Sequence, residues 1–467
     1  YRLAKGEIEP SGIIVSKLIS DLDSLPFPEW HNRNLDQYNY YPLLKNTPLI
    51  SVQGSRGCSY DCTYCPYMVT QTHDWRKRGP TNIVDDQLND EGLATALGNT
   101  PEVAVAAALD DAIVWSAACS DEGFLSGSGT FRIMIDEGFM DGYNQQYDNL
   151  YNALASARWI ADDATKRVRE LVTTPNSDVR VANGLFWGGM ARMTLADHFE
   201  QVVYDGNAPI TPTKAMEDAI VLFQEAATVA SAAGNTSLAA ASHGAIARAH
   251  RAIYFDNKNE KSTDDMATFK KASDAAKAAL TLSGTYVEYA NYAPPGATNF
   301  VYASVNASRY NRMDPKYANM KDPVSGELDP RIKHGPKVNN SPRTGDPVYL
   351  ITKYPDEGAD IPVSRAAEAR LIVAEYAAMT NDLATAVTHI NENRTAVGLS
   401  AFASTDQAAI LTQLKYERSV ELWYEGRRWQ DMRYYEIIPD RWAQVNKTKG
   451  IHRRWPVSQR EKDNMGN

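Results

Sequence analysis

A chain of 467 residues, 43% of them hydrophobic and 23% charged, has the composition of an ordinary globular protein and room for roughly two or three domains. Its net charge of -10 argues against a nucleic-acid partner. No apolar run reaches the length of a membrane helix.

Residues 1–86 are rich in proline and aromatics, as in Leu25-Pro26-Phe27-Pro28-Glu29-Trp30, and show little helical period. Leu49-Ile50-Ser51-Val52-Gln53, bounded by Pro48 and Gly54, reads as a short strand. Directly after it come Cys58, Cys62 and Cys65, spaced C-x3-C-x2-C. Three thiolates this close can hold three irons of a [4Fe-4S] cluster and leave the fourth open to a substrate or cofactor. Zinc would need a fourth ligand, for which His73 is the nearby choice. Cys119 has no cysteine near it in sequence and reads as a small buried residue.

From about Gln87 the chain turns helical and alanine-rich. Tyr147, Leu150, Tyr151, Leu154 and Ala161 recur at helical spacing, as do Met216, Ile220, Phe223, Ala227 and Ala230, with Thr213 available to cap the latter helix. Further helices are expected near 180–199, 237–255, 265–281, 364–379, 383–397 and 406–434. Short polar turns such as Gly234-Asn235-Thr236 join them in pairs, which predicts a mainly α, tetratricopeptide-like scaffold of degenerate repeats. Trp159 and Trp187 lie inside these helices and read as core. Asp256-Asn257-Lys258-Asn259-Glu260 reads as a solvated turn rather than a calcium loop.

Residues 284–362 break the helical pattern with Tyr, Asn, Pro and Gly, and read as an irregular insertion subdomain. Its aromatics Tyr286, Tyr289, Tyr292, Phe300, Tyr302 and Tyr310 are candidates for a ligand surface, with Trp115 a further one. Residues 363–467 return to helix. Their densest stretch holds Glu417, Arg418, Glu421, Glu425, Gly426, Arg428, Trp429, Asp431 and Arg433. Arg427 with Asp431, and Glu425 with Arg428, stand at spacings that meet on one helix face, and Gly426 admits a close neighbour. Trp423, Tyr424 and Trp429 between the charges point to a partly buried ion-pair network of structural purpose. No H-E-x-x-H, G-x-S-x-G or G-x-x-x-x-G-K-[ST] motif supports a hydrolytic or nucleotide-driven reading.

That stretch resembles the C-terminal helix of the SusD/RagB family. Glu368-Ala369-Arg370 to Glu375, Ile390-Asn391-Glu392-Asn393-Arg394 to Leu399, Asp329-Pro330-Arg331 and Arg454-Trp455-Pro456 to Glu461 resemble other family segments in the family's order. The resemblance spans about 87–467. It implies a non-catalytic outer-membrane lipoprotein at the cell surface with no cofactor. Such a protein binds glycans or other oligomeric nutrients, oligosaccharide or peptide, for a TonB-dependent, SusC-like transporter. Where family members carry their lipid-anchor signal this chain holds a different sequence, so an anchor is not read from it.

Leu49 to Pro66, with Arg76-Lys77-Arg78-Gly79-Pro80 and Asn82-Ile83-Val84-Asp85, resembles a fragment of a radical S-adenosylmethionine enzyme of the cobalamin type. The resemblance makes Cys58, Cys62 and Cys65 cluster ligands and Tyr64 the aromatic before the last of them. The strand–helix alternation of the remaining barrel does not follow, so residues 1–86 read as a fragment of incomplete α/β character joined to 87–283. Two alternatives to nutrient binding stand: a radical S-adenosylmethionine Fe-S enzyme, and a tetratricopeptide-like scaffold for protein partners, with an open helical groove.

Overall fold

In the computed structural model, residues 55–56, 76–77, 94–140, 143–294, 297–308, 310–445 and 454–457 are described, and the chain divides into two units, Tyr1–Asn89 and Asp90–Asn467. In the first unit β1 (Ser55–Arg56) pairs antiparallel with β2 (Arg76–Lys77). The strand expected at 49–53, the three clustered cysteines and His73 lie outside the described residues.

The second unit begins with α1 (Ala94–Cys119), β3 (Gly123–Leu125), α2 (Thr130–Asp136), α3 (Gln145–Leu171), α4 (Val179–His198), α5 (Pro212–Ala232), α6 (Thr236–Lys261) and α7 (Met266–Leu282). Each long helix packs on its successor from α3 to α7, and α1 covers α3 and α4. The cause is visible in the sequence period. Tyr147, Leu150, Tyr151, Leu154 and Ala161 on α3, and Met216, Phe223 and Ala230 on α5, form buried stripes that only a neighbouring helix can cover. Caps fix the ends. Asn144 accepts from the Gln146 N–H at 3.0 Å at the start of α3. At α5 the cap is Thr211, which accepts from the Lys214 N–H, and not Thr213; Pro212 occupies the first helical position, where its missing N–H costs nothing.

Between the helical blocks lie β4 (Val287–Ala290), α8 (Phe300–Tyr302), a π-helical turn at Ala303–Ala307, β5 (Asn311–Met313), α9 (Pro315–Ala318), β6 (His334–Asn340), β7 (Pro347–Ile351) and β8 (Ile361–Arg365). Among the described residues these make two-stranded antiparallel pairs: β3 with β5, β4 with β8, and β6 with β7. Then follow α10 (Ala366–Met379), α11 (Leu383–Ala396), α12 (Gln407–Glu421), α13 (Arg428–Tyr434) and α14 (Asp440–Val445), with α10 seated on α6 and α7.

The helix expected at 406–434 is broken in two. Tyr424 and Gly426 both take positive φ, at 54° and 72°, and end α12 before α13 begins. A Cβ on Gly426 would also lie 2.9 Å from Ile113 Cγ1, so the turn needs glycine twice over. Three further expectations fail for stated reasons. Trp159 faces outward from α3 and is 54% exposed. Asp256 to Glu260 form the last turns of α6, where Asp256 pairs with Arg454 and Asn259 donates to the Arg433 and Tyr434 carbonyls. Asp431 does not pair with Arg427, nor Glu425 with Arg428, because the break at 422–427 turns those side chains to different neighbours.

The charged network itself is present and buried. Asp431 receives Arg418 at 2.8 Å and Arg251 of α6 at 2.8 Å, while Arg251 also holds Glu375 of α10. Arg427 pairs with Glu368, Arg428 with Asp121 after α1, and Glu425 with Lys353 and Arg365. Glu417 is shared by Arg394 and Arg331, and Glu421 by Arg365 and Arg331. Arg433 is buried with its guanidinium over the Trp429 ring at 6.0 Å. The C-terminal block thus binds the first helices, the insertion and the last helices into one core through charges that water cannot replace.

Candidate functional site

The sequence candidates separate by burial. Tyr286, Tyr292 and Trp115 are 3%, 6% and 3% exposed and belong to the core, so they are not ligand-facing. Tyr292 spends its hydroxyl on the Ala106 carbonyl at 3.0 Å, tying the insertion to α1. Phe300 and Tyr302 are half-buried on α8, which Asn299 caps and to which Asp110 adds a bond from the Phe300 N–H at 2.8 Å. Tyr310 and Tyr289 remain, 47% and 41% exposed, the first just before β5 and the second on β4 of a different pair.

Tyr310 precedes β5 and meets the turn after β3, where Ser126 N–H donates to its carbonyl at 2.8 Å. A Cβ on Gly127 would lie 2.7 Å from Tyr310 Cδ1, so the ring sits where only glycine leaves room. The Arg132 guanidinium of α2 stands 4.7 Å from the Tyr310 ring centre and 5.6 Å from that of Trp115. Trp115 therefore supports the surface from below. Phe131, Phe139 and Tyr143, on and following α2, are 41%, 42% and 72% exposed.

The frame beneath this surface is rigid. Arg343 donates to the Leu125 carbonyl at 2.7 Å, to Glu137 at 3.1 Å and to Asp136, while Asp136 also accepts from Leu125 N–H at 3.1 Å. Arg441 adds pairs to Asp136 and Asp314. Asp111, near Arg132, is raised to about 6 by burial, against the pull of that guanidinium. The result is one exposed ring, Tyr310, set against the Arg132 guanidinium with the buried Trp115 on the same cation. No group of side chains suited to hold a metal ion occurs among the described residues. Phe131, Arg132 and Gly127 escape sequence reasoning, although Gly127-Ser128-Gly129 before Phe131 marks a turn that presents the next residues.

Tyr289 lines a separate cleft of about 650 Å³ between the β4–β8 pair, the segment before β6, the end of β7 and the end of α12. Arg365, Glu421 and Glu425 of the charged network form part of its wall.

Residues 347–464 match the SusD family's sequence profile. This region belongs to the SusD family. The SusD-like fold extends well beyond it. A SusD homolog from Bacteroides thetaiotaomicron superposes with a TM-score of 0.62 at 14% identity, over 83% of this chain and 98% of that one. A SusD superfamily protein from Bacteroides vulgatus gives 0.61 at 14% identity, over 81% and 97%. A SusD-like carbohydrate binding protein from Bacteroides fragilis gives 0.59 at 14% identity, over 81% and 98%. Separately, the chain is 33% identical over 80 residues to cytidylyl-2-hydroxyethylphosphonate methyltransferase of Streptomyces wedmorensis, covering 15% of this chain and 14% of that protein. No helix among the described residues is long and apolar enough to cross a membrane.

Proposed function

We propose that this protein binds glycans or other oligomeric nutrients at the cell surface without transforming them, and hands them to a TonB-dependent, SusC-like outer-membrane transporter. Tyr310 carries the reading. It is a large ring, 47% exposed, held over Gly127 and against Arg132 by a buried framework, on a fold shared with a SusD-like carbohydrate binding protein. A ring fixed in this way offers an apolar face to the C–H side of a sugar at little entropic cost, and Arg132 supplies donors for its hydroxyls. The protein-scaffold alternative asks for an open helical groove, whereas β4 and β8 pack on α6. Isothermal titration of the full chain with neutral and acidic oligosaccharides and short peptides tests the reading. Saturable binding weakened by Tyr310→Ala supports it, and no binding to any of them removes it.

A second reading attaches to residues 1–86, favoured by the cysteine spacing. Cys58, Cys62 and Cys65 would hold a [4Fe-4S] cluster serving S-adenosylmethionine. Anaerobic reconstitution with iron and sulfide would then give a visible-absorbing cluster that a triple Cys→Ala variant lacks. A colourless protein after reconstitution would end this reading.

A further inference from the structure

The cleft beside Tyr289 has features that the Tyr310 surface lacks. Its volume, about 650 Å³, falls within the range of small-ligand sites, roughly 300–1,000 Å³. One wall is apolar, built from Val287, Pro362 and the exposed ring of Tyr289. Beside it runs a ladder of alternating charge, with Arg365 directly across the β4–β8 pair from Val287. Arg331 meets Glu421 at 3.3 Å, Glu421 meets Arg365 at 2.7 Å, Arg365 meets Glu425 at 2.8 Å, and Glu425 meets Lys353 at 2.6 Å. Each carboxylate of the ladder is flanked by two cations, so neither is left to attract a positively charged guest.

Lys333 stands apart from this ladder. It is exposed, lines the cleft, and its ammonium has no ion pair among the described residues. Its carbonyl accepts from the Thr352 N–H at 2.7 Å, continuing the β6–β7 pairing by one step past His334 and Ile351. Residues opposed across an antiparallel pair share a face, which accounts for both Lys333 and Thr352 lining the cleft. The Thr352 hydroxyl has no partner among the described residues either. The cleft therefore offers a ring for stacking, a hydroxyl for hydrogen bonding and one uncommitted cation, in a chain whose net charge is -10.

We infer that this cleft is a second subsite, one that takes a carboxylate-bearing sugar, so that the preferred ligand is an acidic oligosaccharide. The inference rests on the glycan-binding reading above. A uronic-acid ring stacks its C–H face on Tyr289, and its carboxylate receives a charge-assisted hydrogen bond from Lys333 and a second from Thr352. A neutral ring makes the stacking contact but leaves the ammonium to water.

The test uses the full chain and two matched probes, tetragalacturonate and its methyl ester, by calorimetry at pH 7 and low salt. The acid should bind about tenfold tighter than the ester, the effect of one charge-assisted bond. Lys333→Met should abolish that preference, and Lys333→Arg should restore most of it. Tyr289→Ala should weaken both probes, with thermal unfolding unchanged because the ring is a surface group. Raising the salt should shrink the preference. Equal affinity for acid and ester, a preference that survives Lys333→Met, or no binding of the acid overturns the inference. Tyr310-dependent binding of neutral oligosaccharides would leave the broader reading standing in each of those cases.

Discussion

Arg394 donates to Glu417 at 2.7 Å, and neither side chain reaches solvent. Arg394 comes from α11 and Glu417 from α12, and Arg394 also takes Asp322 of the insertion at 2.7 Å. The contact therefore ties the C-terminal helices to the irregular region that holds Tyr289 and Tyr310. Burial makes it costly to break. Arg394→Met leaves buried Asp322 without its cation and Glu417 with Arg331 alone, and should lower stability by about 3–5 kcal/mol in urea unfolding followed by near-ultraviolet circular dichroism. Lys270→Met, which breaks an ion pair with both side chains more than half exposed, should leave the same transition in place.

Glu122 gives a pH dependence of defined sign. Burial raises it from its ordinary 4.5 to about 8, against the hydrogen bond that it accepts from Tyr424 N–H. The folded carboxyl keeps its proton at a pH where the unfolded chain has lost it. Its contribution is therefore full below pH 4.5 and is lost as pH rises through 8. Glu122→Gln keeps the acceptor for Tyr424 and cannot ionise. The variant should gain on the parent by roughly 1 kcal/mol per pH unit at the steepest part of that window. Parallel pH–stability curves for the two proteins would show that Glu122 does not titrate in this way.

The turn at 422–427 should tolerate nothing but glycine at its last bend. Gly426→Ala meets both the positive φ and Ile113, and should cost about 1–3 kcal/mol in thermal unfolding. An unchanged midpoint would mean that α1 and this turn are not in contact.

The start of α5 separates two threonines. Thr211→Ala removes the acceptor for the Lys214 N–H and should cost about 1 kcal/mol. Thr213→Ala, inside the first turn, should leave the denaturation midpoint within error of the parent.

Much of this architecture can be read from the chain because helical burial is periodic. The stripes on α3 and α5 need no tertiary information, and the short polar turns between helices announce paired packing. The SusD-like character was legible in the ordered C-terminal segments, whose charges have to interlock inside the core. Other features depend on distant neighbours. Tyr286 and Tyr292 have the same composition around them as Tyr289, and only the packing of β4 against β8 and of the insertion against α1 decides which rings are covered. Trp159 has helical neighbours on every side in sequence, yet its side chain is 54% exposed. The ion-pair partners of Asp431 lie on α12 and α6, and those of Glu425 just after β7 and at the end of β8, so local spacing pointed to the wrong pairs. Arg132 and Lys333 are single cations without a motif. They acquire meaning only beside Tyr310 and Tyr289.

The central claim, that an exposed aromatic surface on a SusD-like frame captures oligosaccharides, is tested most directly by titrating the full-length protein and its Tyr310→Ala variant with one set of oligosaccharides. The account predicts saturable binding of at least one member, weakened about tenfold or more in the variant while its unfolding midpoint is unchanged. Binding that the substitution leaves untouched, or no binding by either protein, would contradict it.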